Sequence, residues 1–538
     1  MRQTPLHLRA DGVSVSFGDR RVLTDISLSV PAQRPTGLLG ENGSGKSTLL
    51  RVLAGRLRPD AGSVAVPGPI GLLDQEVPFP VETTVAQVIA DALDGARRLE
   101  RELQAAGDAL AEGAEAAAAA VYDDVLARAV LADVWGAPAR AEQVMTGLAL
   151  QDVDRSRRLD EISGGQRGRL ALARLLIARP TTLLLDEPTN HLDDDGAAFL
   201  TGMLAEHPGP VLVASHDRAF LDDATRVQLD LDPAPSPLEG EPGGVTAYEG
   251  GFSDYLLARY DARDRWARQF RDEQEELDRL RVQVRESHSV GHEGRGPRTE
   301  ARASKKFYAD RNAAVVSRRV RDAQRRLEEL ERTQIRRPPA PLALSHLPAA
   351  EGRRGGVLLA ASDVAVRGRL SPTSVALSSG EKLLVTGPNG GGKSTFLHTL
   401  AGRLEPTGGS VSRPRGARVA LLEQDTPVPE GTVRQVLARA AGVPEADHEP
   451  ELFGLVHPRD LVRPVAELSR GQQRRVELAA LLADPPELLI LDEPTNHLAL
   501  EIATQLEDAI GRWDGTVLIA SHDRWLRRRW EGRVLELG

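Results

Sequence analysis

Residues 40–47 read Gly40-Glu41-Asn42-Gly43-Ser44-Gly45-Lys46-Ser47. An apolar run, Thr36-Gly37-Leu38-Leu39, precedes them, and Thr48-Leu49-Leu50-Arg51-Val52-Leu53 follows with the composition of a helix. Strand, glycine loop and helix in that order predict a loop that cradles phosphate. Glycine lets successive backbone amides curl around phosphate oxygens, and the helix behind the loop turns its positive end toward the anion. Lys46 is placed to reach the outer phosphates of a nucleotide and Ser47 to ligate Mg²⁺. The pattern returns as Gly387-Pro388-Asn389-Gly390-Gly391-Gly392-Lys393-Ser394, after Lys382-Leu383-Leu384-Val385-Thr386. One match arises by chance; two in a duplicated frame do not.

The duplication runs well beyond these loops. LLLDEPTNHL at 183–192 returns as LILDEPTNHL at 489–498, and ASHDR at 214–218 as ASHDR at 520–524. Lys46 and Lys393 are 347 residues apart, Gln75 and Gln424 are 349 apart, and Asp186 and Asp492 are 306 apart. The first half therefore carries 43 extra residues between its glutamine and its acids. Strong helix formers dominate the region around Asp91–Trp135, which predicts an inserted helical pair, about 91–135.

Leu183-Leu184-Leu185 and Leu489-Ile490-Leu491 are runs suited to central parallel strands, and each ends in two acids, Asp186-Glu187 and Asp492-Glu493. Acids at the carboxyl end of such a strand lie where doubly wound sheets bind ligands. The first acid suits Mg²⁺; the second suits the orientation or deprotonation of an attacking water. His216 and His522 each follow the second acid by 29 residues, at the end of another apolar strand, and are placed to meet a γ-phosphate.

Between the halves lies a polar stretch rich in Arg, Glu, Gln and Ala. Ala309, Ala313, Val316, Val320, Ala323, Leu327 and Leu330 repeat with heptad spacing. Leu256, Phe270, Leu277, Leu280 and Val284 form a weaker counterpart, and HSVGHEGRGP at 288–297 breaks the pattern. Two antiparallel helices with a tip at about 288–298 are expected. The domains are then 1–246, a first nucleotide-binding unit; 247–340, a helical-hairpin linker; and 341–538, a second nucleotide-binding unit. Arg295, Arg298, Arg302, Lys305, Lys306 and Arg311 cluster at and after the tip, with Phe307 and Tyr308 between them. Guanidinium and ammonium groups neutralise phosphates and aromatic rings stack on splayed bases, so these cations are the candidate RNA contacts.

Charge supports a basic module on an acidic body. The 538 residues carry a net charge of −10, yet residues 251–337 hold 22 Lys and Arg against 16 Asp and Glu. No stretch approaches the roughly 18 consecutive apolar residues of a membrane span, and the opening MRQTPLHLRADGVSV has no apolar core of a signal peptide. Cysteine is absent, which excludes disulfide frameworks, Cys-ligated zinc and iron–sulfur clusters.

The paired strings resemble the ATP-binding cassette superfamily. Ile162-Ser163-Gly164-Gly165-Gln166 is similar to its signature, and Leu468-Ser469-Arg470-Gly471-Gln472 is a variant. Two cassettes, a helical bridge and the NHL strings resemble the ABC-F family of translational ATPases, and within it the ribosome-protection group of high-GC bacteria. The resemblance implies an α/β fold of two P-loop cassettes joined by a long antiparallel helical linker. It implies ATP with Mg²⁺ at two sites in a head-to-tail sandwich within a monomer. One site would take Phe17, Gly40, Asn42, Gly43, Gly45, Lys46, Ser47, Thr48, Gln75 and Asp186, with Glu187 and His216 catalytic. It would be completed by Ser469, Gly471 and Gln472 of the other half. The second would take Gly387, Asn389, Gly390, Gly392, Lys393, Ser394, Thr395, Gln424 and Asp492, with Glu493 and His522 catalytic, completed by Ser163, Gly165 and Gln166. Ser47, Gln75 and Asp186 would ligate one metal, and Ser394, Gln424 and Asp492 the other. In the second half Val366, Arg367 and Gly368 lie where an aromatic is expected, and Arg470 replaces a signature glycine.

The implied function is a cytoplasmic ATPase that binds the 70S ribosome at the E site, against 23S rRNA of the 50S subunit and the P-site tRNA, with no membrane partner. It would protect the ribosome from macrolide-, lincosamide- or streptogramin-type antibiotics, binding with ATP and leaving on hydrolysis. The alternatives are a housekeeping translation factor of the same family and the ATPase subunit of a drug exporter.

Overall fold

A computed structural model describes residues 7–538 apart from 19, 41–42, 75–78, 113–115, 232–243, 290–317, 319–320, 336, 338–355, 389, 425, 446–451, 497 and 499. Each half holds a small antiparallel sheet and a larger, mainly parallel one. In the first half β1 (His7–Phe17) lies between β2 (Arg20–Pro31) and β4 (Ala61–Ala65). Leu8, Ala10, Val13 and Val15 turn inward with Leu23, Ile26, Leu28 and Val30, the alternation being reset where the pairing shifts between Ala10 and Val13. The larger sheet runs β5 (Ile70–Leu73), β6 (Thr182–Asp186), β7 (Val211–Ala214), β3 (Thr36–Leu39), β8 (Val227–Asp230) and β9 (Thr246–Glu249), with only the last pair antiparallel. β3, β6, β7 and β8 are buried along their whole length, as strands covered on both faces must be. α1 (Lys46–Leu53) shares one core with the antiparallel sheet; α2 (Val85–Glu112), α4 (Ala137–Gly147), α5 (Gly164–Ala178) and α6 (Asp194–Ala205) enclose another on the opposite face.

The second half repeats the plan. β10 (Val357–Val366) lies between β11 (Leu370–Ser378) and β13 (Gly408–Ser412). The parallel sheet runs β14 (Val419–Leu422), β15 (Leu488–Asp492), β16 (Thr516–Ala520), β12 (Lys382–Thr386) and β17 (Arg533–Glu536). Its helices are α10 (Lys393–Ala401), α11 (Val433–Ala441), α12 (Arg470–Ala483), α13 (Leu500–Arg512) and α14 (Arg524–Arg529).

The extra residues of the first half lengthen a shared helix. α2 and α11 start alike, with Thr84–Gln87 and Thr432–Gln435 hydrogen-bonded reciprocally across their first turns. α11 stops after nine residues at Gly442, which adopts φ 69°, whereas α2 runs on for 28 and returns as α3 (Ala116–Leu131). α7 (Arg218–Ala224) leads into β8 and β9, and the linker helix α8 (Phe252–Ser289) follows.

A second linker helix, α9 (321–332), runs antiparallel to α8. Arg281 pairs with Glu331 at 3.0 Å, Glu276 with Arg326 at 3.7 Å, and Glu273 accepts from the Ile335 amide at 3.0 Å. Leu277, Leu280 and Ala323 are buried on this seam. Leu256 is not part of it: with Phe252 and Tyr255 it packs at the base against Leu39, Ala219 and Leu221 of the first half and Trp525 of the second. The expected tip beyond 289, the seam positions Ala309, Ala313, Val316 and Val320, and the cations Arg295, Arg298, Arg302, Lys305, Lys306 and Arg311 lie outside the described residues. Among the described residues, no helix is long and apolar enough to cross a membrane.

Candidate functional site: two phosphate loops and their acids

Both loops are built by left-handed glycines. Gly43 and Gly45 adopt φ 86° and 98°, and Gly390 and Gly392 adopt 84° and 88°. A Cβ on Gly45 would stand 2.6 Å from Leu23, so both the backbone angle and the space demand glycine. Lys46 lies almost buried at the head of α1, its Nζ donating to the Gly40 carbonyl at 2.7 Å. Lys393 donates likewise to Gly387 at 2.9 Å and Pro388 at 3.1 Å. Each ammonium is folded back over its own loop, at the end of a helix whose amides point the same way.

Strands β6 and β15 deliver the acids beside these lysines. Asp186 meets the Ser47 hydroxyl and Asp492 the Ser394 hydroxyl, while burial pushes both carboxyls upward. Asp492 Oδ2 is buried and has no hydrogen-bond partner among the described residues. A hydroxyl beside a carboxylate with a spare oxygen is a hard-oxygen donor set that fits Mg²⁺ shared with phosphate. Asn42, Gln75 and Asn389 lie outside the described residues.

The second acids differ in their company. Glu187 accepts from the His216 amide at 3.1 Å, and His216 Nε2 stands 3.6 Å away. Burial pushes Glu187 up to about 7 and His216 down to about 4, so this imidazole is neutral at neutral pH. Glu493 accepts from the His522 amide at 3.1 Å, from the Ser521 hydroxyl at 3.1 Å, and lies 2.7 Å from His522 Nδ1. That bond to Glu493 raises His522. Glu187 and Glu493 both adopt left-handed backbone, at φ 51° and 45°, which turns each carboxylate off the strand end.

The signature segments start helices. Ser163 caps α5 and Ser469 caps α12, each accepting from the amide three residues on. Gln166 and Gln472 bond back to those serines' amides at 3.0 Å, so these two side chains complete capping boxes. A cavity of about 520 Å³ is lined by Gly390, Gly392, Lys393, Ser394, Thr395, Gln424, Asp492, Glu493 and His522, together with Gly368 and Arg369. Among the described residues, its lining comes from the second half alone, and Ser163 and Gly165 are not part of it. Glu187, His216, Glu493 and His522 instead share a cleft of about 1220 Å³ between the halves.

The base-facing side is unequal. Phe17 ends β1, half exposed, opposite Arg20. There Val15 pairs with Leu23, which covers Gly45; in the second half Val366 pairs with Leu370, which covers Gly392. The second hairpin is therefore four residues shorter and has no position matching Phe17. Arg369 lines the cavity instead. The Leu-over-glycine match was readable only once the hairpins were paired.

A family model described as "ABC transporter" matches residues 23–190 and 370–496. The tylosin resistance ATP-binding protein TlrC of Streptomyces fradiae is 39% identical over 552 residues, covering 100% of this chain and 98% of its own. The energy-dependent translational throttle protein EttA of Mycobacterium tuberculosis is 30% identical over 97% of this chain and 90% of its own. ABC transporter F family member 2 of Arabidopsis thaliana is 28% identical over 98% and 76%. Among solved structures, the RNase-L Inhibitor superposes with a TM-score of 0.58 at 20% identity, over 98% of this chain and 87% of that one, a likeness of fold. The chain belongs to the ABC-F family of ATP-binding cassette proteins, and it is an ATPase.

Proposed function

We propose that the chain is a ribosome-protection ATPase. ATP closes its two cassettes, the closed form binds the 70S ribosome at the E site, and hydrolysis releases it. The observation that carries this reading is the end-to-end likeness to a protein named for tylosin resistance. The base of α8 supports it mechanically: Phe252 of the linker packs edge-on against Trp525 of the second cassette, ring centroids 5.4 Å apart, so movement between the cassettes reaches the linker.

At each site the loop amides and Lys46 or Lys393 bind the β- and γ-phosphates. Ser47, Gln75 and Asp186 at one site, and Ser394, Gln424 and Asp492 at the other, would hold Mg²⁺, which would supply charge neutralisation of the phosphate oxygens. Phe17 stacks on the base at the first site. Water attacks the γ-phosphorus as the β–γ bridge breaks, and Glu187 or Glu493 takes the water's proton. His216, neutral, and His522, held by Glu493, orient the γ-phosphate. Ser469 and Gly471 complete the first site on closure, and Ser163 and Gly165 the second, each helix start offering amides to the γ-phosphate. The linker cations, Arg295 to Arg311, contact 23S rRNA and the P-site tRNA. The protein acts in the cytoplasm on macrolide-, lincosamide- or streptogramin-type inhibition of the 50S subunit.

Expression in a drug-sensitive host tests this. Inhibitory concentrations for these three drug types should rise with the intact chain and not with Lys46→Ala, Lys393→Ala. Unchanged concentrations, with translation still altered, would favour the housekeeping alternative, a role in translation such as the name energy-dependent translational throttle protein describes.

A further inference from the structure

Duplication gives each position a counterpart, and among the buried departures one lies beside an ATP site. Arg474 of α12 is 5% exposed; 306 residues earlier stands Gly168. Arg474 Nη2 donates to the carbonyls of Asp492 at 3.0 Å and Glu493 at 3.5 Å. Nη1 donates to the Glu423 carbonyl and to the Glu477 carboxylate, the latter at 3.2 Å. The counterpart of Glu477 is Ala171. One guanidinium thus ties three segments together: α12, the acid-bearing end of β15, and the residue before Gln424. Gln424, Asp492 and Glu493 line the same cavity.

A buried cation is costly unless its donors are used, and here they fasten the backbone carbonyls of Glu423, Asp492 and Glu493 and the Glu477 carboxylate. The first cassette holds its equivalent segment differently. Arg51 of α1 forks onto Asp74, the residue before Gln75, at 2.9 and 3.0 Å. That tie comes from the phosphate-loop helix of the same site. The tie through Arg474 belongs to the helix that starts at Ser469, the signature serine serving the opposite site.

We propose that Arg474 is a positioning residue that couples the two ATP sites, linking occupancy at Gln424, Asp492 and Glu493 to the placement of Ser469 over the first site. The inference rests on the site assignments made above and not on the ribosomal reading. For binding, such coupling is reciprocal. Glycine at 168 has no side chain to make the matching tie from the signature helix of the first cassette, so this link through a signature helix is one-sided.

The test uses the purified full-length chain carrying Glu493→Gln, in which hydrolysis reports the first site while the second still binds ATP. Turnover should depend cooperatively on ATP. Adding Arg474→Gly should bring the Hill coefficient to about 1 and lower first-site turnover by about tenfold, within the usual range of coupling between sites. Arg474→Lys should restore part of both. Arg474→Met with Glu477→Leu, which replaces the buried pair by apolar groups and keeps the packing, should behave as Arg474→Gly does; it decides the matter if the glycine variant fails to melt cooperatively. A Hill coefficient and turnover unchanged from the Glu493→Gln parent, or a parent without cooperativity, would overturn the coupling. If adding Glu187→Gln leaves the residual hydrolysis intact, the site assignment is wrong and the inference falls with it.

Discussion

Arg218 of the first cassette lies fully buried with both terminal nitrogens on the carboxylate of Glu507 in the second. It also reaches Asp523 at 2.5 Å, while Arg524 reaches back to Asp217. The Asp-Arg pairs that follow the two histidines thus exchange partners across the interface, beside Trp525 and the root of the linker. Arg527 with Asp194 and Arg528 with Asp223 extend the contact at the surface.

Removing one member of such a pair leaves a buried charge uncompensated. Arg218→Ala should cost about 3–5 kcal/mol in urea unfolding, and Arg218→Met with Glu507→Leu should recover most of it. Exposed Arg528→Ala should cost under about 1 kcal/mol. Equal losses for Arg218 and Arg528 would contradict the burial argument.

Glu187 sets a pH dependence. Burial raises its carboxyl to about 7, so below that pH it is protonated and cannot accept a proton from water. With Glu493→Gln silencing the other site, kcat/KM should climb about tenfold per pH unit below 7 and level off above.

The same shift affects stability with a definite sign. From the ordinary value of 4.5 up to about 7 the folded chain holds a proton that the unfolded chain has released, so stability falls as pH rises through that window. Glu187→Gln should therefore stabilise the chain by roughly 3 kcal/mol at pH 8 and by almost nothing at pH 4, read from urea midpoints at the two pH values.

The unequal hairpins predict unequal base recognition. Phe17→Ala in the Glu493→Gln chain should raise KM for ATP about tenfold, the loss of one stacked base. In the Glu187→Gln chain, where the second site turns over, the same change should leave KM within about twofold.

Much of this architecture was legible because strong constraints repeat. Left-handed glycines leave a spaced string, buried parallel strands leave an apolar run, and a helical seam leaves a heptad, as Leu277 and Leu280 show. What escaped was written in departures from the repeat. Glu507 answers Arg218, yet its counterpart is Thr201, so no repeat announces the pair. Arg474 sits opposite a glycine, and arginine is common enough in this chain that one more carries no signal before burial is known. Leu256 fits a heptad by spacing and packs at the linker base instead, because Phe252 and Tyr255 beside it anchor that turn to the first cassette. Gln166 and Gln472, expected among the nucleotide contacts, also cap their helices through Oε1, a use that the Ser-x-x-Gln spacing encodes.

The central claim joins nucleotide-driven closure to ribosome binding. The direct measurement is sedimentation of the Glu187→Gln, Glu493→Gln chain with purified 70S ribosomes through a sucrose cushion, in ATP and in ADP. The account predicts near-stoichiometric pelleting with ATP and little with ADP. A chain that stays in the supernatant with either nucleotide, while still binding ATP, would contradict it.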